Sequence, residues 1–523
     1  MSHPRTSLQI SQLLQRRMHQ RFADWSDERV FSYLADTLYS ERRRIEKDND
    51  NDTPVEYLRT LKQAEKSIRG GREMMCSSIL ELVHTYVMEI HNQFSENTYR
   101  IATKVLPGAL RRLLTAAQSN SLIAENFNPG AKINIQGVTE QIQTLAKTHT
   151  LIYTPTHLSN LDSPLIGYAL AELSLPPVIY GAGLNLFSNP LMSFFMSRLG
   201  AYTVDRRKKN LLYKRVLKDY SIESIKNNAH SLFFPGGTRS RSGSLEKDVK
   251  KGLLGTGIAA WQESMLEGPT REVLFVPCTL SFSLTLEAET LIEDHLAEEG
   301  KSRFIITDDE FSETRTLSRF AHNILNLDSN VYIRFGSPLD ITGNSVNEEG
   351  YSLDPNGSIV DRKQYVCNRF GEVIIDAQRD RMYTDRLAQR ITESYRKDNI
   401  VLSTHVAAFA GWKLLSQKHP LLSDVQKSML SHSQRRLSRA ELLKSIDIVQ
   451  QQVHDLARRE QLCHDISKNP ADILYQALKT FGQFHKTRAL AVQGAEIEVG
   501  PILALYYHNR LEGYGISLSR RTS

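Results

Sequence analysis

Between about residues 131 and 335, short apolar runs alternate with segments of helical periodicity, and this alternation constrains the fold more than any other feature of the chain. The runs lie at 133–135, 151–154, 177–180, 231–234, 273–277 and 331–335. Between them, residues 163–173, 189–198, 211–226 and 253–266 read as helices. Apolar runs of strand length separated by helices predict an α/β domain with a central mixed sheet flanked by helices.

The flanks read differently. At 523 residues the chain is too long for one ordinary core, so two or three structural units are expected. We read a helical N-terminal region over 1–125, the α/β domain over 126–338, a β-rich insert over 339–383 and a helical C-terminal region over 384–523. In the first of these, 77–88 and 99–114 have helical spacing, and 48–53 (DNDNDT) is a solvated turn. Pro54 and Gly70-Gly71 are breaks between helices. The insert is polar and turn-rich, with DPNG at 354–357 and NRFG at 368–371. Its flanking SIV and EVIID segments are expected to pair as a β-hairpin. The C-terminal region reads as helical to about residue 490 and is most apolar at 401–415. No internal repeat or low-complexity tract is read.

Apolar residues at 40% and charged residues at 24% exclude wholesale disorder. The net charge of +6 suits an anionic substrate or an anionic membrane surface. With no basic-aromatic platform beside it, that charge does not point to nucleic acid. Cys76, Cys278, Cys367 and Cys463 are far apart and form no CxxC pair, which argues against a disulfide scaffold or a Cys-rich zinc site and for a reducing compartment. The histidines are scattered, and no metal site is expected. The opening MSHPRTSLQI has no apolar core of a signal peptide, and no apolar run reaches the roughly 18 residues of a spanning helix. Any membrane association is expected to be peripheral.

Four blocks carry chemistry. Thr156-His157-Leu158-Ser159-Asn160-Leu161-Asp162 follows the strand-like LIYTP and leads into a helix. Across such a turn an Asp can accept a hydrogen bond from one ring nitrogen and leave the other free as a general base. A base with no nucleophilic Ser or Cys beside it would activate the substrate's own hydroxyl. The plainer alternative is a strand-end histidine that caps the next helix. FFPGGTRSRSG at 233–243 makes a turn at Pro235-Gly236-Gly237, followed by Arg239 and Arg241. Guanidinium groups beside exposed backbone N–H groups make a phosphate site. The alternative is a solvated basic loop. Ser240 and Ser242 lack a GxSxG elbow, which argues against a nucleophile there. Arg206 ends the apolar YTV run and opens a stretch to Lys218 with seven basic residues and no acid. That stretch reads as facing phosphate or lipid headgroups, or as an exposed helix face for Lys208, Lys209, Lys214 and Lys218. Val276-Pro277 ends EVLFVP and reads as a cleft wall. GLLGTG at 252–257 resembles a nucleotide loop only loosely, and there is no P-loop and no HExxH.

In this order, HLSNLD, GAYTVDRR, FPGGTRSRSG and VPCTLSF resemble the blocks of the glycerolipid acyltransferase superfamily. The long helical flanks, with ELVHTYVMEIHNQF, YRIATKVLP and VYIRFGSPLDI, are similar to its glycerol-3-phosphate and dihydroxyacetone-phosphate acyltransferase branch. The resemblance covers roughly 75–340 and, loosely, 385–415. It implies that His157 deprotonates the acceptor hydroxyl and that Asp162 orients His157. It implies that Arg239, with Arg206 and Arg241, holds the acceptor phosphate, while Ser159, Asn160, Gly236, Gly237, Thr238 and Pro277 support the cleft and its loops. The implied acceptor is the sn-1 hydroxyl of glycerol 3-phosphate, with dihydroxyacetone phosphate or lysophosphatidate as alternatives. The implied donor is acyl-CoA or acyl carrier protein, with no bound cofactor. The implied location is peripheral, on the cytoplasmic face of a membrane. Most of the superfamily has Glu where this sequence has Gly236, and that carboxylate is linked to acceptor binding. The plastid-type soluble enzymes also lack it. A lipid-binding protein of weak activity is the alternative of another class, and Gly236 is its support.

Overall fold

The computed structural model describes residues 6–48, 53–91, 133–184, 200–268, 271–299 and 330–518. Every residue of β2 (Thr150–Pro155) and β6 (Val273–Phe282) is buried, and the two pair in parallel from Thr150↔Val273 to Pro155↔Cys278. Helices cover both faces, so these strands read as continuous apolar runs. Around them the sheet runs β1 (Ile133–Gly137), β7 (Val331–Phe335), β6, β2, β5 (His230–Leu232), β3 (Val178–Gly183), β4 (Ala201–Val204), with β8 (Leu339–Asp340) also on β6. β7 and β8 run antiparallel to β6, and the other neighbours are parallel. This is the mixed sheet that the alternation predicts.

Alternate residues of the strands enter two cores. Leu151, Tyr153, Leu274 and Val276 share one with α5 (Thr139–Thr148) and α6 (Asp162–Glu172). Ile152, Val273 and Phe275 share the other with α8 (Lys251–Glu267) and α10 (Ala377–Lys397). Between them comes α7 (Leu211–Lys226), which gives Ile222 and Ile225 to the second core. Its Leu212, Tyr213, Val216 and Tyr220 pack instead among α1 (Ser7–Phe22), α2 (Asp27–Asp48), α3 (Val55–Ser67) and α4 (Arg72–Ile90). Pro54 and Gly71 stand at the starts of α3 and α4, where the sequence places breaks. The helices expected at 99–114 and 189–198 lie outside the described residues, as does most of the turn at 48–53.

Lys208 corrects one expectation. It is neither exposed nor aimed at headgroups: its Nζ lies 4.5 Å, 4.8 Å and 5.5 Å from the ring centroids of Tyr57, Tyr86 and Tyr213 and pairs with Glu89. A cation is stable in burial only with such a partner and such ring faces, and here it joins the N-terminal helices to the sheet domain. Arg206, Arg207, Lys209, Lys214 and Lys218 are exposed.

The insert differs from the expected hairpin. SIV and EVIID do not pair with each other; Leu353 pairs with Ile359 and Cys367 with Val373, each across its own tight turn. Leu339–Ser345 and Val346–Ser352 are bridged in the same way. The segment is a sequence repeat, contrary to the reading above: Asp340, Asn347, Asp354, Asp361 and Asn368 recur at every seventh residue, and Gly343, Gly350, Gly357 and Gly371 follow three later. Each glycine N–H donates to the carbonyl of its Asp or Asn, at 3.0 Å to 3.1 Å. Each has φ between +81° and +88°, which a side chain disfavours. In the copy with Gln364 in place of glycine, the turn continues as a 3-10 helix, Arg362–Tyr365.

The C-terminal region is helical, with α11 (Ser403–Lys418), α12 (Asp424–Ser428), α13 (Arg439–Arg458), α14 (Pro470–Phe481) and α15 (Pro501–His508). It also holds two small sheets that the sequence reading missed. One pairs β9 (Ile400–Leu402) with β11 (Cys463–Asp465), and the other orders β10 (Arg436–Ser438), β13 (Glu496–Val499) and β12 (Leu490–Gln493). Strands of three or four residues are too short to show a period of two. The core of this region includes Leu284, Leu286 and Ile292, so it packs directly on the chain leaving β6.

Candidate active site

His157 lies in the loop that leaves the C-terminal end of β2, where ligands bind in parallel α/β sheets. Its Nδ1 is 2.8 Å from Asp162 Oδ2 at the start of α6. A carboxylate only accepts, so Nδ1 carries the proton and Nε2 presents its lone pair. The same Oδ2 accepts the backbone N–H groups of Leu158 at 2.6 Å and Ser159 at 2.9 Å. Asp162 is fully buried. It therefore both shapes the loop and orients the ring. The imidazole stacks on Phe234, with centroids 4.2 Å apart, and its side chain keeps 15% exposure.

The glycine-rich loop after β5 grips His157 by its backbone. Ser240 N donates to the His157 carbonyl at 2.7 Å, and Glu246 Oε1 accepts from the His157 N–H at 2.8 Å. Gly237 has φ +79°, and a Cβ on it would collide with Lys250. Gly243, also at φ +79°, lies against the Tyr506 carbonyl of α15, and Asn509 Nδ2 donates to the Ser242 carbonyl at 2.9 Å. The C-terminal region thus backs this loop.

Two carboxylates that sequence reasoning missed hold the site together. Glu287, just before α9 (Ala288–Glu299), accepts from Ser159 Oγ at 3.0 Å and Asn160 N at 2.9 Å, and its Oε1 lies 3.8 Å from Arg239 Nη1. Glu246 is half-buried as a residue, and its Oε2 is buried. Burial pushes both carboxyls above the ordinary range, opposed by the backbone N–H groups that they accept. No spacing or periodicity marks either glutamate in the sequence.

Of the expected residues, His157, Asp162, Ser159, Asn160, Gly236, Gly237 and Arg239 are brought together here. Arg241 pairs with Glu298 on α9 and is partly exposed. Arg206 is exposed just after β4, at the same edge of the sheet as His157. Thr238 is exposed, and Pro277 is a buried residue of β6 in register with Thr154. Among the described residues, no group of His, Cys, Asp or Glu is placed to hold a metal ion, and no helix is long and apolar enough to cross a membrane.

The Acyltransferase family model matches residues 136–281. A glycerol-3-phosphate acyltransferase of Pseudoalteromonas translucida (strain TAC 125) is 31% identical over 205 residues, which is 39% of this chain and 23% of that protein. The likeness therefore spans less than a quarter of that relative's length. Among solved structures, the 1-acyl-sn-glycerophosphate (LPA) acyltransferase PlsC from Thermotoga maritima aligns at 18% identity and a TM-score of 0.25, covering 48% of this chain and 75% of that one.

Proposed function

We propose, from the match of residues 136–281 to the Acyltransferase family model, that the protein moves a fatty acyl chain from an acyl thioester to the sn-1 hydroxyl of glycerol 3-phosphate. The observation that carries this reading is the His157–Asp162 pair, with Nε2 free beside a loop that bears Arg239. In the proposed reaction Nε2 takes the proton of the acceptor hydroxyl. The oxygen attacks the thioester carbonyl, and a tetrahedral intermediate forms. Its collapse breaks the C–S bond, and the departing thiolate takes the proton from the His157 imidazolium, which restores the neutral base. Asp162 stabilises the imidazolium between these steps. No acyl-enzyme forms. Arg239, Arg206 and Arg241 bind the acceptor phosphate; Arg239 and Arg241 are each held in place beforehand by a glutamate.

The donor is acyl-CoA or acyl carrier protein, and the protein works as a peripheral membrane enzyme on the cytoplasmic face, because donor and product carry long acyl chains. The exposed Arg206, Arg207, Lys209, Lys214 and Lys218 support attraction to an anionic surface.

The test is thiol release from palmitoyl-CoA and from a palmitoyl-loaded carrier protein, with glycerol 3-phosphate, dihydroxyacetone phosphate or lysophosphatidate, and with anionic liposomes present. Release that requires glycerol 3-phosphate and falls about 10²–10⁴-fold in His157→Ala is expected for loss of a general base. Release with lysophosphatidate alone would replace the acceptor. Release that is equal in His157→Ala would remove the mechanism.

A further inference from the structure

Gly236 leaves a space, and a carboxylate from ten residues further along the chain fills it. A Cβ on Gly236 would lie 3.2 Å from Glu246 Cγ and 3.3 Å from Glu246 Oε1. That Oε1 is the atom that accepts the His157 backbone N–H. The other oxygen, Oε2, is buried and has no hydrogen-bond partner among the described residues. The buried guanidinium of Arg510, bonded to Asn399 Oδ1 and to the Leu280 carbonyl, adds a favourable field at this carboxylate without pairing with it directly. Lys250, four residues beyond Glu246 and just before α8, lies over Gly237. A side chain at Gly236 would crowd Glu246, and one at Gly237 would displace the end of Lys250.

We propose that Glu246 is a positioning residue for His157, and that Gly236 is the vacancy that admits it. This rests on the acyltransferase reading for the role of His157. The loop that carries the base has no regular secondary structure of its own. Its ring is set by Asp162 and its backbone by two bonds: Ser240 N to the His157 carbonyl, and the His157 N–H to Glu246. A hydrogen bond to a carboxylate is stronger than one between neutral groups. Releasing the N–H side lets the base drift from the acceptor hydroxyl, which lowers turnover while leaving phosphate binding in place. On this account Gly236 is no sign of a lost activity.

The experiment compares Glu246→Ala, Glu246→Gln, Gly236→Ala and the double variant Gly236→Ala/Glu246→Ala in the full chain. Two readouts are taken: thiol release with glycerol 3-phosphate, and hydrogen exchange of the His157 amide. Glu246→Ala is expected to lower kcat about 30-fold with acceptor KM held within about twofold. Glu246→Gln, which keeps an acceptor oxygen, recovers most of that loss. Gly236→Ala crowds the carboxylate and lowers kcat about fivefold, yet adds nothing in the Glu246→Ala background, because neighbours acting through one contact are not additive. The His157 amide exchanges at least about tenfold faster in Glu246→Ala. An unchanged exchange rate overturns the proposal whatever the activity, and so does a rise in KM with kcat intact. If Glu246→Ala does not fold, Gly236→Ala with unchanged kcat and exchange overturns it instead. A wild type that transfers no acyl group while the exchange behaves as expected removes the acyltransferase reading and leaves the positioning standing.

Discussion

Asp162 shows how much one oxygen atom is asked to do. Its Oδ2 receives the His157 ring and two backbone N–H groups, while its Oδ1 is buried without a hydrogen-bond partner among the described residues. Asn at this position keeps an oxygen for the loop and puts its amide in the unpartnered place. It loses only the charge that stabilises the imidazolium. Asp162→Asn is therefore expected to lower kcat about 10²–10⁴-fold while its melting temperature falls by less than about 3 °C. Asp162→Ala, which frees both N–H groups, loses stability as well. Equal kcat in wild type and Asp162→Asn would show that the carboxylate serves the loop alone. His157 and Asp162 were legible because their spacing straddles a strand-to-helix turn. Glu246 and Glu287 were not, because each reaches the loop through tertiary packing from outside it.

The insert carries the same lesson at the level of an element. Its turns were legible one at a time from DPNG and NRFG, but the expected pairing between their flanks joined the wrong partners. The seven-residue recurrence of Asp or Asn and glycine fixes the pairing, since each turn closes on its own neighbours. The glycines are not equivalent. Gly357 has φ +84° and open space around it, so Gly357→Ala pays only for the left-handed backbone, about 1 kcal/mol. Gly350 has φ +88°, and a Cβ there would collide with the His149 ring. Gly350→Ala is expected to lose about 2–3 kcal/mol, read as the difference in urea midpoint between the two variants. Equal losses would mean that the insert does not pack on the domain as the structure has it.

For the whole molecule, the alternation of strands and helices made the central sheet legible, because strands buried on both faces are continuous in sequence. The small C-terminal sheets stayed hidden for want of length. The buried histidines set the acid response. Burial lowers His149 and His230 to about 4 and His405 to about 3. The Nδ1 atoms of His230 and His405 accept backbone N–H groups, from Leu151 and Leu402, which only neutral rings can do. Unfolding frees each to bind a proton below about pH 6.5. The stability they protect is complete above that pH and is lost as pH falls toward 4, at about 1.4 kcal/mol per unit for each ring. The raised carboxyls of Glu89, Glu246, Glu287 and Glu293 act in the opposite sense, but His91, His454, His464 and His485 are also lowered by burial, so seven histidines stand against four carboxyls among the described residues. Urea midpoints at pH 7, 6 and 5 are expected to fall in that order; constant midpoints would contradict it. A last consequence concerns time. β1 has β7 as its partner in the sheet, and nearly two hundred residues of chain separate the two. At ribosomal speeds of about 5–20 residues per second, the first strand waits roughly 10–40 s for its neighbour to be made. Through that interval the nascent sheet has a raw border, and a companion that shields it would set the yield of finished protein.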